Sequence, residues 1–366
     1  MTDALLPEGL RDRLPPQAEA SAAMLRAALD AIRAHGYDRV APPLAEYESS
    51  LAGRLKAASA RDLLRVVDPL SQRTLALRPD ITAQVGRIAA TRLAHRPRPL
   101  RLSYGGPVVK LRATQLRPER EMTQIGAELI GRDTAAAAAE IVALSVEALT
   151  AAGATGITVD LTLPDLVDTL AAGALPLAPD QVPQVRACLD AKDAGGLAAL
   201  GAHDYLPLVA AAGPFDRALD QLRRIDRAGV LASRLAALET VAAHVGEATV
   251  TLDPTERHGF EYQSWLGFSL FARGLSGEIG RGGTYTILHE GSREEPAVGF
   301  SIYPDPLLDA GRDEVPGRRL FLPLGHDAHA ARRLRAEGWV TVAALDERCT
   351  AAGCTHSLDR NGPRPV

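Results

Sequence analysis

The segment EMTQIGAELIG, residues 121–131, restricts the fold more than any other part of the chain. At the period of two that a strand imposes, Met122, Gln124, Gly126 and Glu128 share one face while Thr123, Ile125, Ala127 and Leu129 share the other. One face is built to pack. The other sets an amide and a carboxylate about 13 Å apart, at a rise of about 3.3 Å per residue, with a glycine between them. Such a strand belongs in a sheet with an apolar layer against one side, and Gly126 leaves room for a small ligand held at both ends. A sheet face turned to water has the same pattern.

The surrounding sequence supplies partners for that strand. RPLRLSYGGPVV precedes it, and the two are joined by a basic loop holding Lys110, Arg112, Arg117 and Arg120. Further upstream, residues 17–35 read as an amphipathic helix with Leu25, Ala28, Leu29 and Ile32 on one face, ended by Gly36. DRVAPPLAEY reads as a strand at an edge, a bend or an interface, because Pro42 and Pro43 remove two ladder donors. LLRVVDP and RTLALRP read as a hairpin about Leu70 and Ser71.

Downstream, Thr134 is placed to cap an alanine-rich helix that runs to about Ala152 and stops at Gly153. ITVDLTL alternates as a half-buried strand. Residues 164–245 turn helical, and strand signals resume at ATVTLDP, FEYQSWLGFSLFA, TYTIL and AVGFSIY. The helical stretch is therefore an insertion in a mostly antiparallel sheet. A tail with strand, helix and strand (RLFLPL, AHAARRLRAEG, WVTVAAL) gives a small α/β unit. The expected division is 1–312 and 313–366.

Lysine and arginine number 41 against 45 acidic residues, so no overall charge excess points to nucleic acid or to an acidic tail. No stretch approaches the roughly 18 apolar residues of a membrane span, and the first residues lack the apolar core of a signal peptide. With only Cys188, Cys349 and Cys354, the expectation is a reducing, cytoplasmic setting without disulfides. Asp80 and Thr82 in LRPDIT offer a carboxylate and a hydroxyl suited to an ammonium group, or a helix cap. GRGGTY, residues 280–285, has neither phosphate-loop spacing and reads as a tight turn. His326, His329, Cys349, Cys354 and His356 do not fit the spacing of any standard zinc finger.

Taken in order, LPEGLRDRLPP, GYDRVAPPLAEY, LRPDIT, YGGPVVK followed by EMTQIGAE, HGFEY, GRGGTY and PAVGFSIY resemble a histidyl-tRNA synthetase catalytic domain from residue 6 to about 307. The resemblance implies an α+β, class II aminoacyl-tRNA synthetase-like fold: a six- to seven-stranded antiparallel sheet flanked by helices and paired as a homodimer through the strand holding Pro43. It implies a histidine pocket at Asp80, Thr82, Gln124, Glu128 and Tyr285, with the ammonium at the first three and the imidazole N–H at Glu128. Tyr262 and His258 join this set. Gln263 stands where the family has a second ring-contacting tyrosine.

The departures bear on activity. The position of the family's ATP-binding motif arginine falls on Lys110, its partner glutamate on Arg112, the last-motif arginine on Pro306, and the histidine-specific arginine on His258. Lysine lacks the bidentate fork of arginine, and transition-state charge at phosphorus needs such donors. The 59 residues after Leu307 are too few for an anticodon domain. These features resemble the regulatory subunit of ATP phosphoribosyltransferase. That family implies a non-catalytic, cofactor-free chain that binds L-histidine and partners the short-form catalytic subunit in a hetero-oligomer, a hetero-octamer in the family, with no tRNA and no membrane. The alternative is an ATP-dependent aminoacyl ligase using Lys110 with Arg112 or Arg120, and a third reading is a stand-alone histidine-binding module.

Overall fold

Helix α1 (Gln17–Ala34) buries Met24, Ala28, Leu29 and Ile32, with Leu25 half-buried, and ends before Gly36 at φ 80°. It opens a computed structural model that describes residues 5–51, 63–111, 118–257, 262–289, 293–309 and 317–366. The single strand expected over DRVAPPLAEY is two, β1 (Asp38–Arg39) and β2 (Ala45–Tyr47), in separate sheets. Pro42 and Pro43 lie between them, where no ladder needs their missing N–H groups.

After a short α2 (Glu48–Leu51), β3 (Leu64–Val67) and β4 (Thr74–Leu77) form the expected hairpin. Asp68 closes its turn by accepting from the backbone N–H groups of Leu70 and Ser71. Helix α3 (Thr82–Ala90) then leads to the long antiparallel pair β5 (Leu100–Val109) and β6 (Glu121–Ile130). Thr134 caps α4 (Ala135–Ala151), accepting from the Ala137 N–H at 3.3 Å, and β7 (Thr158–Thr162) follows.

The insertion contains α5 (Leu166–Ala171), α6 (Gln181–Asp190), α7 (Ala194–Ala199), a 3-10 segment at His203–Ala210, α8 (Phe215–Ile225) and α9 (Ala232–Ala242). It is not wholly helical, since β8 (Gly213–Pro214) returns to pair with β9 (Thr249–Leu252). Then come β10 (Gln263–Phe271), β11 (Gly280–Leu288), β12 (Glu294–Ile302) and α10 (Asp305–Asp309).

The main sheet has nine strands in the order β1-β5-β6-β12-β11-β10-β7-β9-β8, rather than six or seven. The run from β5 to β7 is antiparallel, as expected, while β1 and β9 join in parallel. Strands β1 and β8 are two residues long, too short to leave a periodic signal. GRGGTY is no turn either. It lies inside β11, where a Cβ at Gly282 would strike the Phe268 ring and the Gly299 carbonyl, so the glycine serves close packing of strands.

Register sorts the residues of β6 onto two faces. Ile125, Ala127 and Leu129 pack with Phe268, Val298 and Phe300 beneath α1, α4 and α9. On the opposite face Met122 and Ile130 join Ile81, Val85, Tyr104, Tyr285 and Ile287 around α3. This second layer is the one that carries the polar residues.

The chain divides into compact units at residues 1–310 and 311–366. In the second, β13 (Arg319–Leu322), α11 (Ala328–Ala336), β14 (Val340–Ala343), β15 (His356–Asp359) and β16 (Gly362–Pro365) give a sheet ordered β14-β13-β15-β16. Leu320, Leu322, Ala331 and Leu334 are its core. The closing β15–β16 hairpin is absent from the sequence expectation, because Pro363 and Pro365 disguise β16 as loop. Trp339 packs edge-on to His356 at 4.8 Å between centroids. Among the described residues, no three His, Cys, Asp or Glu side chains gather to hold a metal.

Candidate functional site

Cross-strand register places the site. Glu128 of β6 stands opposite Gly299 of β12, which stands opposite Gly283 of β11, which stands opposite Gly267 of β10. A row without side chains thus continues from Glu128 across three strands. The Glu128 carboxyl leans into it, for a Cβ on Gly299 would fall on that group. There Oε1 accepts from the Tyr104 hydroxyl at 2.9 Å and Oε2 from the Tyr285 hydroxyl at 2.7 Å.

Tyr104 overturns the expectation of ligand space above Gly126. The two residues are directly paired, and a Cβ on Gly126 would meet the Tyr104 hydroxyl and the Phe300 carbonyl. Nor does this face meet water: Gln124 is 0% and Glu128 1% exposed. Having given its one proton to Glu128, the Tyr104 hydroxyl is left to accept from Thr82 Oγ1 at 3.0 Å or Ser301 Oγ at 3.1 Å.

Burial dominates the electrostatics. It pushes Glu128 up to about 8 against the pull of the two tyrosine hydroxyls, and the Asp80 charge adds to the rise. Burial, then the neighbouring Glu128, raises both Tyr104 and Tyr285 well above the ordinary phenol value. At neutral pH Glu128 is therefore mostly a neutral acid with one proton to give and oxygens to accept with.

Asp80 sits just ahead of α3, two residues before Thr82 opens the helix. Its Oδ1 accepts from the Thr82 N–H at 2.7 Å, and its Oδ2 accepts from Gln124 Nε2 at 2.6 Å. The Gln124 amide also donates to Ser301 Oγ at 2.7 Å and accepts from the Ile81 N–H at 2.9 Å. With both N–H groups engaged, Gln124 acts by holding Asp80 in place.

A second network anchors this segment. Arg78 donates to the Pro107 and Pro42 carbonyls at 2.8 and 2.9 Å. Gln84 donates to the Pro43 carbonyl at 2.8 Å and to Glu46 at 2.9 Å, and Glu46 also pairs with Arg87. The proline segment and the Asp80 segment are thus fastened together by side chains that pair the Pro42, Pro43 and Pro107 carbonyls.

At the other end Tyr262 packs edge-on to Tyr285, ring centroids 6.3 Å apart. Gln263 pairs directly with Tyr285, is 7% exposed, and its Oε1 is buried with no hydrogen-bond partner. An orphaned acceptor at this point suits a ligand N–H. His258 lies outside the described residues, as do Arg112 and Arg117. Lys110 holds its ammonium 5.9 Å from the Tyr303 ring, and Arg120 donates to the Lys110 and Glu8 carbonyls. Pro306 lines a separate cavity of about 300 Å³ with Arg11, Met122, Tyr303 and Asp305.

The structure therefore brings together Asp80, Thr82, Gln124, Glu128, Tyr262 and Tyr285. Sequence reasoning missed Tyr104 and Ser301, which flank Gly126 on its two neighbouring strands. The signal was a glycine facing an aromatic across the β5–β6 pair, visible once that pair is put in register.

Comparison with known proteins bears on family. A histidyl-tRNA synthetase family model matches residues 9–307. The chain is 44% identical over 372 residues to an ATP phosphoribosyltransferase regulatory subunit of Paramagnetospirillum magneticum, covering 98% of this chain and 97% of the relative. It is 45% identical to the one from Rhodospirillum centenum, covering 94% and 90%. Among solved structures, an ATP phosphoribosyltransferase regulatory subunit/histidyl-tRNA synthetase from Bacillus halodurans superposes with a TM-score of 0.81 at 24% identity, covering 98% of each chain, a likeness that speaks for the fold. With near-complete coverage at this identity, on a histidyl-tRNA synthetase-like class II fold, the chain belongs to the family of ATP phosphoribosyltransferase regulatory subunits.

Proposed function

We propose that this chain is a non-catalytic subunit that binds L-histidine between Asp80 and Glu128 and uses that binding to govern a short-form ATP phosphoribosyltransferase catalytic subunit. Without histidine it raises the partner's activity, and with histidine it lowers it. The observation that carries the reading is a buried Glu128 gripped by Tyr104 and Tyr285, in a chain that has Lys110 and Pro306 where the resemblance to the synthetases implies nucleotide-binding arginines. A carboxyl that costly to bury is retained for a ligand rather than for stability.

The ligand's ammonium goes to Asp80 and Thr82, and its imidazole to Glu128 beside the orphaned Gln263 acceptor. A pocket that binds without consuming its ligand has output only through an equilibrium in something attached, and the coupling is reciprocal. The test mixes the two purified proteins and follows phosphoribosyl-ATP formation with and without histidine. Expected are a stable complex, faster turnover than the catalytic subunit alone, and inhibition by histidine. The Glu128→Ala subunit should need about 5- to 150-fold more histidine, the equivalent of about 1–3 kcal/mol for an unpaired buried N–H. No complex, or equal rates with and without this chain, overturns the reading.

A further inference from the structure

Among the described residues the ligand's carboxylate has no assigned partner in this pocket, and the sheet register supplies one. We propose that Arg281 holds the carboxylate of the amino-acid ligand. This rests on the pocket being a histidine site, as argued above.

Arg281, Gly283 and Tyr285 alternate along β11 on the face that carries Glu128. Arg281 pairs directly with Ser301, which hydrogen-bonds Gln124. It is the diagonal neighbour of Gly299, over which the Glu128 carboxyl lies, and such neighbours are about 7–8 Å apart between Cα atoms. That span suits an amino acid with its ring N–H on Glu128, its ammonium at Asp80 and its carboxylate toward β11.

The guanidinium is also held ready. Nε and one Nη donate to the two oxygens of Glu278 at 2.7 and 2.8 Å, and Ser269, the β10 partner of Arg281, donates to Glu278 at 2.8 Å. Arg281 is half-buried, and its charge is felt by Tyr262 and Tyr303. Electrostatics favours a cation here, because the Asp80 carboxylate already faces the ligand and a second carboxylate brought beside it needs a counter-charge. Arg78 is committed to the Pro42 and Pro107 carbonyls. A guanidinium fork matches a carboxylate better than a lysine ammonium does.

The experiment compares L-histidine with histamine, which lacks the carboxylate, by calorimetry on the wild-type protein and on Arg281→Gln and Arg281→Lys. Wild type should bind histidine at least about tenfold tighter than histamine. Arg281→Gln should weaken histidine by about 10- to 100-fold, the range for a charge-assisted hydrogen bond, while leaving histamine unchanged or tighter. Arg281→Lys should recover part of the loss. If Arg281→Gln binds histidine like wild type, or loses histidine and histamine equally, the role of Arg281 is refuted and the pocket stands. If wild type binds neither compound, both readings fall.

Discussion

Glu128 couples the site to the stability of the fold. Its pKa of about 8 in the folded chain lies above the ordinary value of 4.5, so between those limits the folded state keeps a proton that the unfolded state has released. Stability therefore falls as pH rises through this window, by up to about 1.4 kcal/mol per pH unit from this group alone. Glu128→Gln, which cannot ionise, should gain on wild type steadily from pH 5 to pH 8. Denaturant titrations of both proteins at several pH values check this, and parallel profiles would contradict it. Glu128 and Gln124 were legible because strand alternation and resemblance to a known family pointed to the same residues, and Asp80 because its place just after a strand agreed with that resemblance. Tyr104 and Ser301 were not, since their roles arise from pairing between strands distant in sequence, which no local pattern encodes.

At the scale of elements, the sequence reading succeeded where a local signal and the tertiary environment agree. The 64–77 hairpin, the Thr134 cap and the alternation of β6 are of that kind. It failed at GRGGTY, where a cluster of glycines looks like a turn but lets three strands approach closely. Gly282→Ala drives a methyl into the Phe268 ring and the Gly299 carbonyl, and should cost about 1–3 kcal/mol or more, the usual range for overpacking. Gly317→Ala, where a Cβ meets nothing within 4 Å, is the control and should change stability by less than about 0.5 kcal/mol. Equal denaturation midpoints for the two variants would show that β11 accommodates the methyl.

For the whole molecule, the class II frame is present, and the resemblance to histidyl-tRNA synthetases sets Lys110 and Pro306 where that family has nucleotide-binding arginines. Purified protein should show no histidine-dependent pyrophosphate exchange, and Lys110→Arg alone should not restore it, because Pro306 still offers no donor. Exchange above background in either protein would mark the chain as a ligase. A different consequence follows from the last strand of the second unit. The Val366 N–H donates to the Thr355 carbonyl, so strand alternation turns the amides of residues 362 and 364 inward to β15 and those of residues 363 and 365 outward. Both outward positions are proline. This rim of the sheet presents carbonyls without amide hydrogens to match them, so an extended segment of another chain finds no complete ladder to add to. The protein guards itself against edge-to-edge aggregation with two pyrrolidine rings, at no cost to its own hairpin.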